Sequence, residues 1–165
     1  MDLLLLCRAE SEALAQGLVE GSQGWPLTAA GRQQADRLGA RLARDYGVAA
    51  LYSSPLEEAR ETAARVGEVL GIQPQDEPDL RGLDSGELAG RPLAEVRREV
   101  PILLPPSGDI FSPFPGGESY AEMHVRVVNA INQLVASAAG RTIAVVTNPR
   151  PIQAFLLAFL RYAIE

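Results

Sequence analysis

The sequence predicts an α/β fold: a three-layer α/β/α sandwich around a mostly parallel central sheet, in a single domain over residues 1–165. Three observations predict it. Short apolar runs, LLLL (3–6), VAALY (48–52) and TIAVVT (142–147), each stop on small or polar residues, as buried strands do where they reach a sheet edge. Longer segments of helical periodicity separate them. With 165 residues, 47% of them apolar and 22% charged, the chain can cover one sizeable core.

The first run passes into Cys7, Arg8, Ala9, Glu10 and Ser11, which places these residues at the C-terminal edge of the sheet, where open α/β folds bind ligands. A loop rich in Gly and polar residues follows over 17–27. Thr28 is a good N-cap for a helix with Ala35, Leu38 and Leu42 on one face, and Gly47 suits the position just past its end at Tyr46. VAALY is the second strand. After it, Ser54 as N-cap with Pro55 at the first helical position predicts a helix that buries Leu56, Ala59, Ala63, Val66 and Leu70 and stops at Gly71. Residues 72–92 read as a turn-rich connection and LAEVRREV (93–100) as a short helix. Residues 101–117 hold five prolines and end in Gly116-Gly117, a loop inserted on the active-site side. A long helix over 118–139 presents Val125, Val128, Ile131 and Val135. The third strand (142–147) then leads to an apolar helix over 151–162 with Ile152, Phe155, Leu156 and Phe159 on one face.

Bulk properties exclude several function classes. A net charge of −6 argues against nucleic-acid binding, which needs clustered positive charge. All 15 basic residues are Arg, so lysine chemistry is absent. One cysteine excludes an internal disulfide, and one histidine, His124, excludes a multi-His metal site. Four leucines are too short for a signal peptide and no run reaches the length of a membrane span, so the expected location is cytoplasmic. No cofactor and no metal are expected.

Six stretches, in order, resemble the histidine phosphatase, or phosphoglycerate mutase-like, superfamily. They are MDLLLLCRAES at the N-terminus, WPLTAAGRQQADRLGARL (25–42), YSSPLEEARETA (52–63), LRGLDSGELAG (80–90), FPGGES (114–119) and VVTNPRPIQAFLLAFL (145–160). The resemblance covers nearly the whole chain and implies a phosphoglycerate mutase-like sandwich. It also implies a mechanism: a histidine after the first strand becomes phosphohistidine, two arginines and a second histidine hold the phosphoryl oxygens, and a glutamate protonates the leaving group.

At each of those places this sequence departs. Cys7 stands at the first arginine and Arg8 at the nucleophilic histidine; Glu58 replaces the second arginine, Gly82 the acid glutamate found in many members, and Asn148 the second histidine. Shifting the alignment by one residue matches Arg8 to the first arginine but leaves Ala9 at the nucleophile, so no histidine is recovered. Arg8 stays protonated and cannot attack phosphorus. Cys7 reads as a small buried strand-end thiol; the competing reading makes it a nucleophile. Cys-based phosphatases carry an arginine six residues on, where this chain has Ala13. His124 lies on a helix and reads as a packed or solvated side chain.

The expectation is therefore a catalytically inactive member with a remodelled phosphate pocket and a binding or structural role, in which Arg8 and Glu58 fill the former site as an internal ion pair. Arg8 and Arg150 are the candidate anion-binding residues, with a small anionic ligand or a protein as the partner to consider. The alternative is a phosphohydrolase acting on a small phosphoester by a non-histidine mechanism. The apolar LLAFL segment or an open sheet edge would favour a homodimer, though core packing is the commoner use of such residues.

Overall fold

The computed structural model describes residues 2–100 and 109–162. Leu3–Cys7 forms β1, Val48–Ser53 β2, Gln75–Asp76 β3 and Thr142–Thr147 β4; all four run parallel, in the spatial order β1-β4-β2-β3. The helices are α1 (Glu12–Ala15), α2 (Ala29–Asp45), α3 (Glu57–Leu70), α4 (Leu93–Glu99), α5 (Tyr120–Ser137) and α6 (Pro149–Tyr162). The two-residue period of the strands builds two cores. Leu3, Leu5, Ile143 and Val145 face α5 and α6, while Leu4, Leu6, Ala144 and Val146 face α2 and α3. Each fully buried Val, Leu or Ile stabilises the sandwich by roughly 1.5–3 kcal/mol.

Several element boundaries follow the sequence cues. Thr28 caps α2, its hydroxyl accepting from Gly31 N at 2.9 Å, and Gly71 ends α3 in the left-handed conformation, φ 68°. The α3 start differs. Leu56 stays extended with ψ 144°, so the helix begins at Glu57, and Ser54 Oγ instead accepts from Leu56 N at 3.3 Å and tightens the preceding turn. The α5 start is sharper than composition predicts: Ser119 and Glu122 form a reciprocal capping box.

Two apolar faces are also rotated from expectation. On α5 the buried residues are Met123, Val127, Ala130, Ile131 and Leu134, which leaves Val125, about 200° round the helix from Val127, 60% exposed. On α6, Phe155 is buried beside Ala154, but Leu156 and Phe159 are 44% and 61% exposed. The short β3 and the single-turn α1 carry too little periodicity to be read from sequence.

Of the proline-rich loop, residues 101–108 lie outside the described residues. Its last part clamps the turn at 84–86: Glu87 N donates to Pro115 O at 2.8 Å and Glu118 N to Asp84 O at 3.0 Å. Gly86, at φ 50°, is required there, because a Cβ would come within 2.1 Å of Pro115 O. This clamp holds the segment that contains Gly82 against the strand ends.

Candidate functional site

The C-terminal ends of β1, β2 and β4 meet in a covered polar cluster. Cys7 pairs with Thr147 in the sheet, and Arg8 N donates to Thr147 O at 2.8 Å, so Arg8 and Asn148 leave the sheet side by side. β2 runs on into Ser53 and Ser54, both buried, and then into the first turn of α3, which carries Glu58. The topology thus gathers Arg8, Glu58, Gly82 and Asn148 at one edge.

Their partners differ from the expected ones. Arg8, 6% exposed, donates from Nη2 to both carboxylate oxygens of Glu20 at 2.7 Å and from Nη1 to Ala9 O at 3.2 Å. Glu58, 0% exposed, accepts from Trp25 N and from Asn148 Nδ2, each at 2.9 Å. The expected Arg8–Glu58 ion pair is therefore not formed. The reason is the 17–27 loop, which brings Glu20 to Arg8 and the Trp25 amide to Glu58. Ser85 Oγ fastens that loop by donating to Glu20 O at 2.8 Å, and Gly90 N donates to Val19 O at 2.8 Å. No cation among the described residues lies within ion-pair distance of Glu58. Two N–H donors and the positive N-terminal end of α3 stabilise the carboxylate in their place.

Asn148 and Gly82 fit one another. A Cβ at position 82 would meet Asn148 Cγ at 3.1 Å and Oδ1 at 3.3 Å, so the asparagine side chain fills the space that a side chain at 82 would need. Asn148 Oδ1 is buried without a hydrogen-bond partner, as is Arg8 Nε. Thr62 Oγ1 ties the two sides of the cluster together, accepting from Ala9 N at 3.0 Å and donating to Glu58 O at 2.7 Å.

Cys7 is exposed rather than buried as expected, because it ends β1, the edge strand of the sheet, yet its thiol pKa is pushed up. Partial burial is the main cause and the Glu20 carboxylate adds to it, against the opposing pull of the Arg8 guanidinium. A raised pKa makes it a poorer nucleophile at neutral pH. Arg150, the other candidate anion ligand, lies over the Tyr120 ring with its guanidinium carbon 5.1 Å from the centroid. Arg8 and Arg150 thus each have a partner of their own. His124 is a half-buried residue of α5. No group of three or more His, Cys, Asp or Glu side chains among the described residues is placed to hold a metal ion, and no described helix is long and apolar enough to cross a membrane.

Sequence reasoning missed Glu20 and Trp25. Both sit in a loop without periodicity, and the signal for Glu20 was chemical: a buried Arg8 requires a carboxylate.

The family model for the histidine phosphatase superfamily, branch 1, matches residues 3–165. The chain belongs to that superfamily. It is 31% identical over 93% of its length to a bifunctional protein of Mycobacterium tuberculosis, of which it spans 43%. It is 28% identical to phosphoserine phosphatase 1 of Hydrogenobacter thermophilus, with 96% of this chain and 75% of that protein aligned. Among solved structures, YhfR of Bacillus stearothermophilus superposes with a TM-score of 0.86 at 29% identity, covering 96% of this chain and 79% of that one. The fold is that of the phosphoglycerate mutase-like proteins.

Proposed function

We propose that this histidine phosphatase superfamily member does not use phosphohistidine chemistry and serves as a binding or structural protein whose phosphate pocket is refilled by its own side chains. One observation carries the reading. The position that the resemblance gives to a phosphate-holding arginine carries the fully buried Glu58 carboxylate, satisfied by Asn148 and the Trp25 amide. A carboxylate there repels an incoming dianion, by roughly 4 kcal/mol per unit charge at about 4 Å and an effective dielectric of about 20. At the head of β1 stands Arg8, which cannot act as a nucleophile and is neutralised by Glu20.

A second reading, a phosphohydrolase of non-histidine mechanism, is favoured by the phosphatase named among the relatives. In this chain the nucleophile weighed for it at the strand ends is Cys7, with the raised thiol pKa described above.

The test is turnover by the pure protein of phosphoserine, 3-phosphoglycerate and p-nitrophenyl phosphate, with Cys7→Ala alongside. The expected result is no phosphate release above a buffer blank and no acid-labile phosphoenzyme. Turnover lost in Cys7→Ala establishes the second reading.

A further inference from the structure

We infer that Arg8 and Ser11 form a carboxylate-binding site which this chain fills in cis with its own Glu20, and which takes a small monocarboxylate when that side chain is withdrawn; the inference deepens the refilled-pocket reading and rests on it. The Glu20 carboxylate is held as a bound anion would be. It accepts from Arg8 Nη2 at 2.7 Å on both oxygens and from Ser11 Oγ at 2.8 Å on Oε1. The guanidinium is 6% exposed and fixed from behind by its Nη1 bond to Ala9 O. Ser11 is fully buried, and its Oγ also caps α1 by accepting from Leu14 N. These donors are rigid before any ligand arrives.

The geometry also shows that Glu20 is an imperfect occupant. A free carboxylate on arginine takes two parallel bonds from two different nitrogens. Here both oxygens crowd one nitrogen, Nη2, while Nε of the same buried guanidinium has no partner. The tether explains this. The 17–27 loop is anchored at Val19 by Arg91 O and Gly90 N and at Glu20 by Ser85 Oγ, so the side chain reaches Arg8 from a fixed backbone and covers only part of the fork. An untethered carboxylate can span Nε and Nη2 and satisfy the orphaned donor.

The class of ligand follows from the surroundings. Glu58 lies at the same strand-end edge, its main-chain O two hydrogen bonds from Ala9 N by way of Thr62 Oγ1, and its buried carboxylate carries no cation among the described residues. A monoanion meets less repulsion from that buried carboxylate than phosphate does.

The experiment is chemical rescue of Glu20→Ala, read as thermal unfolding in formate, acetate, phosphate or sodium chloride at equal ionic strength. The variant is expected to melt below wild type. Formate tenfold above its Kd is expected to raise that Tm by about 3 °C, with acetate next, phosphate weaker and chloride inert. Wild type and the Glu20→Ala, Arg8→Gln double variant are expected not to respond. A folded Glu20→Ala indifferent to formate overturns the site, and rescue by phosphate equal to or above that by formate overturns the ligand class. If the variant does not fold in plain buffer, refolding from urea with and without formate is the same test: recovery supports the site and no recovery overturns it. Phosphoester turnover by wild type would overturn the refilled-pocket reading and leave the rescue result standing, so the two failures are distinguishable.

Discussion

Replacing Asn148 by Asp changes one NH2 group to oxygen and tests whether Glu58 is held as a carboxylate by that donor. In the structure Asn148 Nδ2 lies 2.9 Å from Glu58 Oε1, both side chains buried. In Asn148→Asp two carboxylates face each other at that distance. Left ionised, they repel by about 4 kcal/mol with charge centres about 4 Å apart and an effective dielectric of about 20. Protonating one of them at pH 7, about three units above an ordinary carboxyl pKa, costs about 4 kcal/mol as well. The two routes cost the same, so a loss of about 3–4 kcal/mol is expected at pH 7. A protonated carboxyl donates to Glu58 as the amide does, so the loss disappears in acid. The sign follows from linkage: the new group has a folded pKa above its unfolded value, so its stability is intact below the ordinary carboxyl range and falls as pH rises through the folded pKa. Urea unfolding of both proteins at pH 4, 5, 6 and 7 measures this, with the gap expected to widen by up to about 1.4 kcal/mol per unit. A gap below about 1 kcal/mol that does not vary with pH would refute the Asn148–carboxylate bond and with it the account of how Glu58 is stabilised.

Gly82→Ala should cost about 1–3 kcal/mol by urea unfolding, because its Cβ presses on Asn148, and the added Asn148→Ala should remove most of that cost. Glu61→Gln bears on the end of the 17–27 loop, where Glu61 accepts from Leu27 N at 3.0 Å. Partial burial raises the Glu61 pKa, but the Arg32 hydrogen bond, the Leu27 amide and the charges of Arg32 and Arg65 together pull it below the usual value. Wild type should therefore exceed Glu61→Gln in stability at neutral pH, with the advantage vanishing as pH falls through the folded pKa of Glu61. Iodoacetamide should modify Cys7 at pH 8 more slowly than a thiol in an unfolded peptide and catch up as pH rises, because burial holds the thiol protonated; equal rates at pH 8 would contradict the raised pKa. On α5, Val127→Asp should unfold the protein or cost more than 3 kcal/mol while Val125→Asp changes stability by less than about 0.5 kcal/mol.

The strands and the α2 and α3 faces were legible because the period is clear there and the end signals at Thr28 and Gly71 agree with it: Thr28 caps α2, Gly71 ends α3, and Ala59, Ala63 and Val66 are all buried. The faces of α5 and α6 misled for a common reason. Both helices are apolar on more than one side, so periodicity alone does not say which stripe meets the sheet. In the site, Arg8, Glu58, Gly82 and Asn148 were legible as a set because the superfamily resemblance assigns all four to one pocket. Which of them bond to one another was not. That choice belongs to the 17–27 loop, whose Glu20 carries no pattern and whose Trp25 acts through its main-chain amide, 12 and 33 residues from their partners.

The departures at the strand ends depend on one another. With Asn148 at its position, the amide can donate to a carboxylate at 58, and an arginine at 58 would face that NH2 as donor against donor. With Asn148 in the space beside Gly82, a glutamate at 82 would have to displace it. With Arg8 buried at the end of β1, a carboxylate must reach it, and Glu20 does so from a loop that also delivers the Trp25 amide to Glu58. Changing one position back leaves a buried donor or charge unmatched at the next, at about 1–3 kcal/mol for each neutral group and more for a charge. Single substitutions toward the residues that the superfamily resemblance implies are therefore expected to lower stability. Arg8→His alone strips Glu20 of its guanidinium.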